Sequence, residues 1–78
     1  MPSVAKTALA DVQAWVDRNV SAGAPACLAV LGISSGNLAV TLPEGKRAVS
    51  LPPGDVLVIV LPPGAGRQPG VFLAEANA

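Results

Sequence analysis

Histidine and tyrosine are absent from this 78-residue chain, and tryptophan, phenylalanine, cysteine and methionine occur once each. A single cysteine excludes an internal disulfide. Without histidine, one thiol is too small a donor set for a structural zinc site. The commonest general base is missing as well. No catalytic residue, metal or cofactor is therefore expected. Charge is also scarce: 13% of residues are charged, about half of what an ordinary soluble domain carries. Lys and Arg total five against five Asp and Glu, and zero net charge argues against a nucleic acid held by bulk electrostatics. Long apolar runs are missing too. Ala24 to Ile33 and Val56 to Leu61 are the longest, well short of the ~20 residues that span a bilayer. Asp11 and Gln13 stand where a secretion signal would need its apolar core. The chain is therefore expected to be made in the cytoplasm, with no membrane partner and no export by signal peptide.

What the chain has instead is aliphatic residue and turn punctuation: 51% is hydrophobic, with eight glycines and eight prolines. A chain of this length forms one domain, residues 1–78, with a limited core. The centre of the pattern is Leu51 to Gly64, LPPGDVLVIVLPPG. Val56, Val58, Ile59 and Val60 are β-branched and suit a pleated surface. With no polar residue interleaved, the segment reads as a strand buried on both faces. The Pro-Gly pairs at Pro53-Gly54 and Pro63-Gly64 suit type II turns. Leu-Pro-x-Gly begins at Leu42, Leu51 and Leu61, the ~8–12-residue spacing of strands joined by short turns.

Before this run, Ser3 is a reasonable N-cap for a helix over 3–22. Val4, Ala5, Ala8, Leu9, Val12, Trp15, Val16 and Val20 gather on one face at 100° per residue. Gly23 suits the residue after the helix end, and Pro25 prevents its continuation. The stripe either packs on the chain's own sheet or meets another molecule, with Trp15 then the anchor. Strands are expected over 26–33, 37–42, 46–51, 55–61 and 71–76. In the second and third, Leu38, Val40, Leu42, Val49 and Leu51 share the inward parity; Arg47 shares it too but can reach solvent from the strand end. The fold class is α+β: one N-terminal amphipathic helix, then four to five mostly antiparallel strands in a β-meander or small sandwich.

Candidate chemistry is thin. Gly64-Ala65-Gly66-Arg67 after a strand is like the opening of a dinucleotide-binding loop, but Pro69-Gly70 stands where the helix should start. Cys27 reads as a buried thiol acting as a small hydrophobe. Asp11, Asp17, Glu44, Asp55 and Glu75 are scattered, and Lys46-Arg47 makes a two-residue basic spot. The excess of apolar residues must be covered, which points to a subunit interface. Partner contacts are expected at Trp15, Val16, Arg67 and Phe72, in a homo-oligomer with a trimer favoured.

Two resemblances are present. Thr41-Leu42-Pro43, Arg47 and Pro53-Gly54-Asp55, within Gly36 to Val60, resemble the AbrB/MazE swapped-hairpin transcription factors and antitoxins. That resemblance implies a DNA-binding dimer using this hairpin. The segment between Pro43 and Pro53 is shorter than the family's, and Gly45 interrupts it. In style and composition, the short Ala/Val/Pro/Gly-rich chain is similar to cement or decoration proteins of tailed-phage capsids. This second likeness implies a non-enzymatic structural protein that stabilises a capsid shell from the virion surface.

Overall fold

The computed structural model describes residues 7–64, 66 and 68–76. Helix α1 runs Leu9–Ala22 and is followed by β1 (Ala26–Ile33), β2 (Gly36–Leu42), β3 (Gly45–Leu51), β4 (Gly54–Leu61) and β5 (Gly70–Glu75). The α+β class holds, and each expected strand matches to within a residue at either end. The helix differs at its start. Ala8 is extended at φ −74°, ψ 138° and offers no side-chain cap, so residues 7 and 8 lie outside the helix. Ser3, the expected cap, with Val4 and Ala5, falls outside the described residues. The helix stops as its sequence requires. Gly23 takes φ 69°, and its N–H reaches the Asn19 and Val20 carbonyls at 3.2 Å, a left-handed cap that a side chain would strain.

The strands form two sheets. In the larger, β4 lies between β1 and β5 and is antiparallel to both; in the smaller, β2 and β3 form a hairpin. The arrangement is meander-like, with the β2–β3 hairpin lifted out between β1 and β4 into a second layer. Leu42 pairs with Gly45 across a loop of Pro43 and Glu44. No non-glycine residue among those described has positive φ, while Gly45 sits at φ +125°. The strain of closing this short loop therefore falls on the residue without a Cβ. Gly54 likewise takes φ +109° at the entry to β4, but Gly64 is not at positive φ. The type II turn expected at Pro63-Gly64 does not form. The chain after β4 leaves extended, and it is Gly66 that carries φ 72°.

One core lies between the layers. Val30, Val56, Val58, Val60 and Val71 supply it from the larger sheet. Leu38, Val40, Leu42 and Leu51 supply it from the hairpin, and Val12 and Val16 from the helix. No polar side chain is buried in it among the described residues. The inward parity read for β2 and β3 is observed, with Val49 half-buried. Arg47 escapes that parity to solvent, where Nη2 donates to Glu44 Oε1 at 2.9 Å.

Helix and hairpin are joined by Gln13. Its Nε2 donates to the Ala39 carbonyl at 2.7 Å, and its Oε1 accepts the Ala39 N–H at 2.9 Å. In β2 the main-chain groups of Leu38 and Val40 alternate with those of Ala39, so one set faces β3 and the other faces away. The side-chain amide takes the place of a missing strand at Ala39. The same Nε2 also donates to Asp17 Oδ1 at 2.9 Å.

Candidate interaction face

The central strand β4 is buried on one side only. Val56, Val58 and Val60 are at most 4% exposed, whereas Leu57, Ile59 and Leu61 are half-buried. This corrects the expectation that both faces of β4 are covered. The physical reason is a shortage of layers. A sheet with two apolar faces needs a cover on each, and the described residues supply one helix and one hairpin, both on the same side.

Strand register assembles the other side into rows. Cys27, Ile59 and Phe72 lie abreast on β1, β4 and β5; Ala29, Leu57 and Ala74 form the next row. Leu61 pairs with Gly70 at one end. Phe72 is 48% exposed and Leu31 is 41% exposed; Cys27, Ala29 and Ala74 are exposed as well. Phe72 lies along its own strand, with ring atoms 3.6 Å from where a Gly70 Cβ would stand. The ring therefore roofs the glycine and keeps the face low in relief. Asp55 shares the outward parity at the far end of β4, where Oδ1 accepts the Gly32 N–H at 2.9 Å. Among the described residues, that border carboxylate is the only charged side chain on the face.

The sequence-derived contact residues fall in different places. Phe72 is on this face. Trp15 is half-buried and packs against the core from the helix. Val16 is fully buried in the chain's own core and has no surface to offer a partner. The helical stripe thus covers the sheet of its own chain. Arg67 lies outside the described residues. Cys27, expected to be a buried thiol, is exposed, because β1 is an edge strand and its outward side is uncovered. The residues that the sequence reading missed are Cys27, Leu57 and Ile59 as a group. The signal was present: apolar residues at alternate positions on three strands, too many for one layer to cover.

Other features do not converge on chemistry. A cleft of about 610 Å³ lies between the end of α1 and the loops after β2 and β4, lined among others by Asp17, Val20, Leu42, Pro43, Leu61 and Pro62. Its polar lining is Asp17, Asn19, Ser21 and Thr41, of which Asp17 accepts from Gln13 and Asn19 donates to the Trp15 carbonyl. Lys46 and Arg47 are both exposed on β3, and Arg47 is neutralised locally by Glu44. Among the described residues, no acidic or thiol cluster could hold a metal, and no helix is long and apolar enough to cross a membrane. In comparisons with known proteins, no family model, no curated protein and no solved structure matches the chain.

Proposed function

We propose that this protein is a non-enzymatic assembly protein that works by laying the outer face of the β1–β4–β5 sheet against another protein surface. The observation that carries this reading is the face itself. Eight apolar side chains, Cys27, Ala29, Leu31, Leu57, Ile59, Leu61, Phe72 and Ala74, form a patch three strands wide, and among the described residues its one charge, Asp55, stands at the border. A contiguous apolar patch of this kind costs solubility unless something covers it. The scarcity of charge over the whole chain supports the same view. A capsid accessory protein, bound to a shell as cement or decoration, is the concrete form of this proposal.

The test for the capsid form is co-sedimentation of the tagged chain with assembled tailed-phage capsid shells. The expected result is that wild type travels with the particles, while Phe72→Glu stays at the top of the gradient with an unchanged circular dichroism spectrum. Wild type that remains at the top would refute the capsid form. Co-sedimentation that survives Phe72→Glu would remove this face from the contact.

A further inference from the structure

The cleft at the end of α1 has a binding chemistry rather than a reacting one, and the sequence explains its sign. Pro43, Pro62, Pro63 and Pro69 line it. Proline has no N–H, so these residues present carbonyl oxygens and ring carbons but no donor. The helix end adds acceptors. The Gly23 N–H serves the Asn19 and Val20 carbonyls at 3.2 Å. The Ser21 carbonyl would take its bond from residue 25, which is Pro25 and has no N–H to give. The last turn carries no basic side chain, so the negative end of the helix dipole has no cation of its own there.

Asp17 adds a full charge. Its Oδ1 accepts from Gln13 Nε2 at 2.9 Å, and among the described residues no cation pairs with it. The lining side-chain donors are the hydroxyls of Ser21 and Thr41 and the Asn19 amide, which donates to the Trp15 carbonyl at 2.8 Å. Beneath these polar groups lie the aliphatic side chains of Val20, Leu42 and Val60. The cleft is thus rich in acceptors, poor in donors and apolar at its base. Its complement is a cation with several donors, no acceptor and an aliphatic stem.

We propose that the cleft receives an arginine side chain from a partner protein. The stem lies along the apolar base, as long basic side chains do, and the guanidinium meets Asp17 and the helix end. Arginine suits the site better than lysine. Its planar fork carries five donors that reach acceptors on separate elements, and it is more weakly hydrated than an ammonium. The volume of about 610 Å³ is that of an ordinary small-ligand site. Leu61 belongs both to this cleft and to the outer face of the sheet, so a protein laid on that face reaches the cleft at its edge. The choice of a protein as the source rests on the assembly reading above; the acceptor-rich chemistry does not.

The experiment titrates the full, isotope-labelled chain with acetyl-Gly-Arg-Gly-amide and follows the backbone amide shifts. Amides from Asp17 to Gly23 and at Thr41 should move together, with a dissociation constant on the order of 1 mM, as one half-exposed side-chain contact allows. Citrulline in place of the peptide arginine keeps the shape and removes the charge; it should bind at least roughly fivefold more weakly. Asp17→Asn, which keeps an acceptor for Gln13, should weaken the arginine peptide by a similar factor. A lysine peptide should fall between arginine and citrulline. A spectrum unmoved at about 20 mM peptide overturns the site. Citrulline bound as well as arginine, or Asp17→Asn without effect, overturns charge as its basis, and lysine bound as well as arginine overturns the guanidinium. Arg67→Ala should leave the affinity unchanged; a gain of roughly fivefold or more would mean that the chain's own arginine competes for the cleft, and would overturn the partner. Free agmatine bound about tenfold more tightly than the peptide would give the site to a small cation instead. Peptide binding without co-sedimentation overturns the capsid form and keeps the arginine site; co-sedimentation without peptide binding does the reverse.

Discussion

Replacing Gln13 with alanine should destabilise the fold by about 1 kcal/mol, although Gln13 lies on the helix surface and alanine is the better helix former. The amide makes two hydrogen bonds to Ala39, at 2.7 and 2.9 Å, and a third to Asp17 at 2.9 Å. A net hydrogen bond contributes about 0.5–1.5 kcal/mol. The two to Ala39 are partly accessible to water, so the lower half of that range applies to each. The Asp17 bond is exposed and contributes less. Against this stands a gain of a few tenths of a kcal/mol from helix propensity. For a domain of this size, about 1 kcal/mol corresponds to a fall in Tm of roughly 4–8 °C. The assay is urea unfolding followed by Trp15 fluorescence, with the slope m checked for constancy. Gln13→Glu provides the control. Its carboxylate retains an acceptor for the Ala39 N–H but sets negative charge against the Ala39 carbonyl and Asp17, so at neutral pH it should be less stable than Gln13→Ala. A Gln13→Ala protein as stable as wild type would refute the view that the amide completes the open edge of β2. A Gln13→Glu protein more stable than Gln13→Ala would show that the acceptor alone matters.

Three further outcomes are expected, each measured as a change in unfolding free energy. Val58→Ala removes two methyl groups from a fully buried position at the centre of the sheet and should cost about 2 kcal/mol; less than about 1 kcal/mol would mean the core closes over the gap. Gly45→Ala meets no atom within 4 Å but sits at φ +125°, so it should cost above about 1 kcal/mol on conformational grounds alone, and a neutral result would contradict the turn geometry. Arg47→Ala breaks an ion pair whose side chains are 53% and 48% exposed; it should change stability by less than about 0.5 kcal/mol, and a larger loss would mean that the Arg47 stem packs on the core.

Much of the fold was legible before any coordinates. Period-two alternation placed Leu38, Val40, Leu42, Val49 and Leu51 inward, and the observed burial follows it. Leu-Pro-x-Gly marked where strands end, because proline cannot extend a ladder and glycine accepts the strained φ. The helix start was less legible. The apolar stripe continues backward through Ala8, and nothing local distinguishes a helical Ala8 from the extended one observed. Helix ends without a capping side chain are set by what the preceding segment packs on, here with the Thr7 N–H on the Leu31 carbonyl at 3.2 Å.

The candidate face shows the same division more sharply. Composition pointed to surplus apolar surface, and the contacts expected for it were Trp15 and Val16 on the helix, Arg67 in the loop and Phe72 after it; of these Phe72 lies on the exposed face. Val16 is in the core and Cys27 is exposed, the reverse of the expectation. Local periodicity states that a strand has two apolar sides. It cannot state which side receives the one helix and the one hairpin available, because that choice depends on pairing β1 with β4 across the intervening hairpin. Sequence by itself determined the elements, the strand boundaries, the helix end and the inward parity of β2 and β3, all of which rest on short-range sterics and side-chain period. Tertiary structure decided the strand order, the Gln13 contact with β2 and the uncovered rows of Cys27, Ile59 and Phe72, since each depends on residues distant in the chain competing for the same limited cover.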